Sequence, residues 1–184
     1  MRFEEKEITL KDGRACILKP NSPEYAEDML RYLKETPAET DFLLRYPDEV
    51  HYTVEQEKEL LQSILDNPYQ IMMVAIVDGK VAGNAAINGI GPQRKLRHRC
   101  SLAIALYKEF WGLGLGSAMI GYLTELARTV DTWTQIDLEV VAENEQAQKL
   151  YRKCGFIETG RRHNALLSDD GTFHDEILMY KDLK

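Results

Sequence analysis

WGLGLGS, residues 111–117, separates two segments with different hydrophobic patterns. The preceding SLAIALY is apolar and typical of a strand, whereas the following AMIGYLTELAR carries apolar residues at helical spacing. The first turn of a helix presents free N–H groups and partial positive charge, and glycines leave room for an anion to approach them. The stretch therefore predicts an anion site, although a plain tight connection between a strand and a helix has the same pattern.

Two other phosphate-binding loops do not fit these residues. The Gly-Lys-Ser/Thr ending of a Walker A loop is missing. The dinucleotide pattern GxGxxG is not met in the right frame, nor at an early position in a parallel βαβ unit. Because no motif for Mg²⁺ and phosphate is visible, a nucleotide-dependent switch protein is also disfavoured.

The composition is that of one globular domain. The chain has 184 residues, 44% hydrophobic and 29% charged, and its net charge of −7 argues against a general nucleic-acid binder. No apolar run approaches the length of a membrane span, and the N-terminal MRFEEKEITLKDG lacks the apolar region of a signal peptide. Three widely spaced cysteines (Cys16, Cys100 and Cys154) fit a reducing compartment. We expect a cytoplasmic protein that binds neither nucleic acid nor membrane.

Turn signals and periodicity predict the order of the elements. Asp-Gly pairs at 12–13, 78–79 and 170–171 each predict a hairpin. Capping and breaking residues predict four helices, over about 22–36, 53–66, 117–129 and 144–154. The order is two strands, two helices, three strands, a helix, a strand, a helix and two strands, which predicts one mixed α/β domain.

A second motif lies downstream of the glycine-rich stretch. Residues 144–156 have the form NxxAxxLYxxxGF, and together with IALYKEFWGLGLG they resemble the GNAT family of acetyl-CoA-dependent N-acetyltransferases. The resemblance is most specific over residues 101–157, and the element order from residue 8 to 181 also fits. It implies a single N-acetyltransferase domain over 1–184, a mixed β-sheet flanked by helices with a splayed strand pair at the cofactor site, and acetyl-CoA as cosubstrate.

The resemblance also implies which residues hold the cosubstrate. The family's acyl-CoA loop has Arg or Gln, then two residues, then a Gly-x-Gly/Ala group, whose glycines here are Gly114 and Gly116. Trp111 stands in the Arg/Gln position, a departure that removes a side-chain donor and leaves phosphate binding to main-chain N–H groups. The implied cofactor-binding residues are Leu106, Trp111, Gly112, Leu113, Gly114, Leu115, Gly116, Ser117 and Asn144.

Acetyl transfer to an amine needs a neutral nucleophile and a proton for the departing thiolate. Tyr151 stands in the family's general-acid position, although its spacing alone is that of a core tyrosine. Glu139 is our candidate for the base, because a glutamate at the matching place activates the amine in family members that acetylate proteins. Its alternative is an exposed strand residue, and His98 is a second candidate. No metal is needed for this chemistry, and no metal-ligand cluster is visible.

The acceptor is less well defined than the donor. Between Pro20 and Asp66 twelve acidic residues face four basic ones, which indicates either two solvated helices or an acidic lip that attracts a cationic amine. Candidates in the closing strands are Arg162, His163 and Asn164. The function expected is acetyl transfer to a primary amine of a small molecule or a protein. The alternative is a non-catalytic acyl-CoA-binding or regulatory module of the same fold. An exposed closing hairpin also predicts a homodimer.

Overall fold

The computed structural model describes all 184 residues and confirms the mixed α/β fold. Four helices of at least two turns and eight strands follow one another in the predicted order. The helices are α1 (Ala26–Ala38), α2 (Val54–Asp66), α3 (Leu115–Ala127) and α4 (Glu145–Lys153). The strands are β1 (Lys6–Thr9), β2 (Ala15–Pro20), β3 (Gln70–Val77), β4 (Lys80–Gly89), β5 (Arg99–Leu106), β6 (Gln135–Val141), β7 (Ile157–Leu167) and β8 (Phe173–Asp182).

The three Asp-Gly turns join neighbouring antiparallel strands, as predicted. Gly13, Gly79 and Gly171 all have φ between 75° and 89°, a left-handed conformation that a Cβ atom disfavours. The sheet order is β1-β2-β3-β4-β5-β6-β8-β7, so that β1 and β7 form its edges.

The helices cover the sheet on both faces. The larger core of 27 buried residues includes Met119, Ile120 and Leu123 of α3 together with strand residues such as Met73 and Ile136. A smaller core on the other face joins α1 and α2 to β3 and β4. No helix of the structure is both long and apolar enough to cross a bilayer.

Two helix boundaries differ from the predicted ones. Helix α3 begins at Leu115 rather than 117, because Gly114 at φ 89° and ψ −7° serves as its N-cap. Helix α1 is preceded by a 3₁₀ turn over Pro23–Tyr25 and continues through Pro37. Pro37 is tolerated because it lies in the last turn, where its ring removes one hydrogen bond without interrupting a longer helix.

One strand pair of the sheet separates soon after it forms. Strands β5 and β6 run parallel and pair only at Arg99 with Gln135, Cys100 with Ile136 and Ser101 with Asp137. Beyond these three pairs the strands diverge, although both continue for several residues. This is the expected splayed pair, and it opens the middle of the sheet at the end where β5 leads into the glycine-rich loop.

Candidate active site

The gap between β5 and β6 exposes main-chain groups of β5. The Tyr107 amide donates to the Ala82 carbonyl at 3.1 Å, so that the main chain at Tyr107 faces β4. Because hydrogen-bonding directions alternate along a strand, the N–H groups of Ile104 and Leu106 point away from β4, into the gap. An extended ligand in the gap would find a strand edge with free donors and acceptors.

The glycine-rich loop follows directly and ends in the N-terminus of α3. Gly112 and Gly114 have φ values of 76° and 89°, which side chains with a Cβ atom rarely adopt. None of the N–H groups of residues 112–117 donates to another group of the protein. Consecutive free N–H groups at a helix N-terminus form an anion site of the kind that the sequence predicts.

Gly116 serves a different purpose. A Cβ atom at this position would lie 2.9 Å from Cδ2 of Leu150 and 3.6 Å from Cδ1 of Leu106. Gly116 therefore lets the start of α3 approach both α4 and the end of β5. The glycines of the loop thus have two separate causes: backbone conformation at 112 and 114, and close packing at 116.

Two side chains outside the glycines fix the loop. Nε1 of Trp111 donates to the Leu106 carbonyl at 3.0 Å, so this donor is used inside the protein. The amide of Lys11, from the first hairpin, donates to the Leu113 carbonyl at 3.1 Å, and its Nζ donates to the Gly112 carbonyl at 3.1 Å. Lys11 was missed from the sequence because it lies about a hundred residues away and no local pattern marks it.

Helix α4 brings Asn144 and Tyr151 to the same cleft. Oδ1 of Asn144 accepts a hydrogen bond from the Ala147 amide at 3.0 Å, so this residue caps the helix. Tyr151 is 8% exposed and packs edge-on against Phe156, with ring centroids 5.9 Å apart. Its hydroxyl has no protein partner, and burial raises the pKa of Tyr151 to about 12. The phenol therefore stays protonated at neutral pH and is free to donate.

Glu139 lies on β6 and forms an ion pair. Arg162 donates from Nη2 to Oε1 of Glu139 at 2.8 Å and from Nη1 to Oε2 of Glu176 at 2.7 Å. The side chains of Glu139 and Arg162 are each 51% exposed, whereas that of Glu176 is 8% exposed. The guanidinium thus lies between two carboxylates, which raises the pKa of Arg162 and keeps it charged.

Nearly all of the predicted site residues line one cleft of about 1750 Å³. Tyr151, Glu139 and Asn144 lie in its wall together with Leu106, Trp111 and the three loop glycines. Leu113 and Leu115 do not line it, since Leu115 is fully buried and Leu113 packs against the core. His98 also lies outside the lining.

Proteins similar to this chain include acetyltransferases. A model of the acetyltransferase (GNAT) family matches residues 26–156. A candidate ribosomal protein bS18-alanine N-acetyltransferase of Bacillus subtilis is 31% identical over 117 residues, which cover 64% of this chain and 72% of that protein. This chain belongs to the GNAT family.

Solved structures agree with that assignment. An acetyltransferase of the GNAT family from Streptococcus pneumoniae superimposes with a TM-score of 0.86 and 27% identity, over 92% of this chain and 99% of that one. A spermidine N-acetyltransferase from Vibrio cholerae, solved with CoA and spermine, has a TM-score of 0.74 and 18% identity, over 91% and 95%. The GNAT chain described here is accordingly an acetyl-CoA-dependent N-acetyltransferase.

The other half of the GNAT cleft lies under α1, α2 and the segment that joins them. Met72, Ala86 and Ala103 are register partners on β3, β4 and β5, and all three line the cleft. Of the twelve acidic residues between Pro20 and Asp66, only Glu49 and Glu57 line it. Most of that acidic excess therefore lies on solvated surfaces outside the cleft.

Proposed function

We propose that this GNAT enzyme transfers the acetyl group of acetyl-CoA to a primary amine by direct attack, with Tyr151 as general acid. The observation that carries the proposal is one continuous cleft that joins the free N–H groups of residues 112–117 to the unpartnered hydroxyl of Tyr151. An anion site at one end and a proton donor further in match a phosphate-tethered thioester whose sulfur needs a proton.

The cosubstrate fits the chain's own groups. The pyrophosphate of acetyl-CoA would accept hydrogen bonds from the amides at the start of α3, where the helix dipole adds to the attraction. The pantetheine arm would lie along Ile104 and Leu106, whose free main-chain groups can pair with its amides. Trp111 acts indirectly in this arrangement, since it holds the end of the strand against the start of the loop.

The proposed transfer forms one bond, breaks one bond and moves a proton from Tyr151 to the departing sulfur. The amine nitrogen forms a bond to the thioester carbonyl carbon, the carbon–sulfur bond breaks, and the thiolate takes the proton of the Tyr151 hydroxyl. Tyr151 can supply that proton at neutral pH because burial holds its pKa at about 12. After the carbon–nitrogen bond forms, the attacking nitrogen loses a further proton, and this proton restores the Tyr151 phenol through solvent.

The acceptor amine must lose a proton before it attacks, and Glu139 is the base that we propose. Its carboxylate lies in the cleft wall and is half exposed, so a water molecule can link it to the amine. Arg162 holds the carboxylate in place through a 2.8 Å hydrogen bond. Arg162 thereby becomes a positioning residue of the proposed site.

Two relatives act on different acceptors. One is described as acting on an alanine of a ribosomal protein, and the other as acting on spermidine. We propose a primary amine of a small molecule or a protein for this chain as well. A positively charged acceptor is supported by the two acidic residues that line the cleft, Glu49 and Glu57. The other acidic residues between 20 and 66 do not line the cleft and give no such support.

Thiol release from acetyl-CoA tests the proposal. Polyamines, aminoglycosides, amino acids and N-terminal peptides would be compared with a no-acceptor control, which accounts for the three cysteines of the protein. We expect release with at least one class. Tight acetyl-CoA binding by calorimetry without release for any amine would favour the alternative, a non-catalytic acyl-CoA-binding module.

The homodimer and the cytoplasmic location stay predictions. Strand β7 is a free edge of the sheet, and Ile157, Leu167 and Phe173 of the closing hairpin are each more than half exposed. An exposed edge with apolar side chains favours pairing with a second copy. Sedimentation velocity at two concentrations would decide whether a dimer forms.

A further inference from the structure

Helix α2 carries a buried carboxylate that nothing in the protein binds. Glu57 is 1% exposed, and its Oε2 is fully buried without a hydrogen-bond partner. The side chain nevertheless lines the cleft, in the half beneath α1 and α2. Burial raises the pKa of Glu57, and the nearby Arg45 lowers it to a smaller extent.

Glu57 neither caps α2 nor forms an ion pair within the protein. The start of α2 is capped by Thr53 and Gln56, whose side chains satisfy each other's backbone amides at 3.2 Å and 2.9 Å. Arg45 is the cation whose charge acts on Glu57, but it forms no ion pair with Glu57 and lies over the ring of Tyr52, 5.8 Å from its centroid. A buried carboxylate without a partner is costly for the fold, and such groups concentrate at functional sites.

The surroundings of Glu57 define what could reach it. Met29 and Leu33 of α1 line the same half of the cleft, together with the apolar strand residues Met72, Ala86 and Ala103. These apolar side chains suit the hydrocarbon chain of a ligand, and none of them can pair with a positively charged group. A cation at the end of such a chain would find Glu57 as its partner.

We propose that Glu57 binds a second cationic nitrogen of the acceptor, separated from the reacting amine by an apolar chain. This inference rests on the proposed function, and it narrows the acceptor to the class of diamines and longer polyamines. Glu57 is then the residue that selects a dication over a monoamine of the same length. Its carboxylate gains the hydrogen bonds that the protein alone does not supply.

The test compares linear diamines of increasing length, each with the monoamine of the same carbon number. Binding would be measured by calorimetry with the protein saturated with CoA, and kcat/KM by thiol release from acetyl-CoA. The variants are Glu57→Gln and, as a control, Glu59→Gln, an exposed residue of the same helix outside the cleft. Both substitutions remove one negative charge from α2.

We expect the wild type to prefer at least one diamine to its monoamine by about tenfold or more, the range of a hydrogen bond to a charged group. Glu57→Gln removes this preference and leaves the monoamines unchanged, while Glu59→Gln behaves as the wild type. The inference is wrong if the wild type binds each pair equally, or if Glu57→Gln weakens both members of a pair alike.

Binding and turnover separate this inference from the proposed function. If no amine causes thiol release, acetyl transfer to these amines is refuted, but the calorimetric preference for diamines still decides the role of Glu57. If monoamines and diamines are acetylated equally well, acetyl transfer to amines is supported, and the proposed binding of a second nitrogen by Glu57 is refuted. The wild-type comparison alone suffices should Glu57→Gln not fold.

Discussion

Nε1 of Trp111 donates a 3.0 Å hydrogen bond to the main-chain carbonyl of Leu106. This bond joins the last residue of β5 to the first residue of the glycine-rich loop. In the family pattern the same position is held by Arg or Gln. Here the indole N–H is used within the protein, and the proposed phosphate contacts come from the main chain alone.

Replacing Trp111 with Phe should weaken acetyl-CoA binding. The ring remains but the hydrogen bond to Leu106 is lost, at about 1 kcal/mol, so we expect the Kd for acetyl-CoA to rise roughly fivefold. Calorimetric titration measures it, and kcat at saturating acetyl-CoA should change little. An unchanged Kd would mean that the loop keeps its shape without this bond.

Replacing Tyr151 with Phe should slow turnover without affecting acetyl-CoA binding. Loss of a general acid lowers kcat by about a hundredfold or more. Stability should stay near that of the wild type, because the hydroxyl has no protein partner to lose. Steady-state kinetics and thermal unfolding would be compared with Tyr122→Phe, a tyrosine outside the cleft. Full activity in the Tyr151 variant would remove it from the mechanism.

The raised pKa of Tyr151 predicts how kcat depends on pH. An acid with a pKa of about 12 keeps its proton at any pH well below that value. We therefore expect kcat to show no decline from loss of this proton between neutral pH and about pH 10. A pH profile of kcat at saturating substrates would show it, and a fall with a midpoint near 8 would require a different acid.

Replacing Gly116 with Ala should destabilise the contact between α3 and α4. The new methyl group would lie 2.9 Å from Cδ2 of Leu150, so the Leu150 side chain would have to shift. Because the Leu150 methyl is the end of a flexible side chain that can shift, we expect a cost at the low end of overpacking, about 1 kcal/mol of unfolding free energy. Because the obstacle is one side chain, Gly116→Ala with Leu150→Ala should not show the strain, and a double-mutant cycle by denaturant unfolding would measure the coupling.

Replacing Glu139 with Gln should lower kcat/KM by about tenfold or more if its carboxylate accepts the amine proton. The control is Glu158→Gln. Glu158 forms a similarly exposed ion pair with Arg152 on the adjacent helix, but it does not line the cleft. Equal rates in the two variants would leave solvent as the proton acceptor.

The elements of the fold were predictable because their signals are local. Each Asp-Gly pair determines one turn, and Thr53 with Gln56 marks the start of α2 within four residues. The splayed strands were expected only from the family resemblance. Nothing in SLAIALY itself shows that β5 leaves β6 after Ser101.

The contacts that organise the site were not predictable, since they join distant parts of the chain. Lys11 reaches the loop from the first hairpin, and Arg162 reaches Glu139 from β7. Glu57 is one of twelve acidic residues in its region, and only its burial distinguishes it from the others. The sequence does not show which of these residues is buried, because Glu55, Glu57 and Glu59 alternate along the first half of α2.

The short pairing of β5 with β6 also bears on how the molecule holds together. Three residue pairs link a part of the sheet with five strands to a part with three, fewer pairs than join any other two neighbouring strands. A pantetheine arm in the gap would supply hydrogen bonds that β5 and β6 do not make with each other beyond Ser101 and Asp137. Bound acetyl-CoA would then take the place of an additional strand between β5 and β6. Hydrogen exchange at the amides of Ile104 and Leu106 should therefore slow when acetyl-CoA binds.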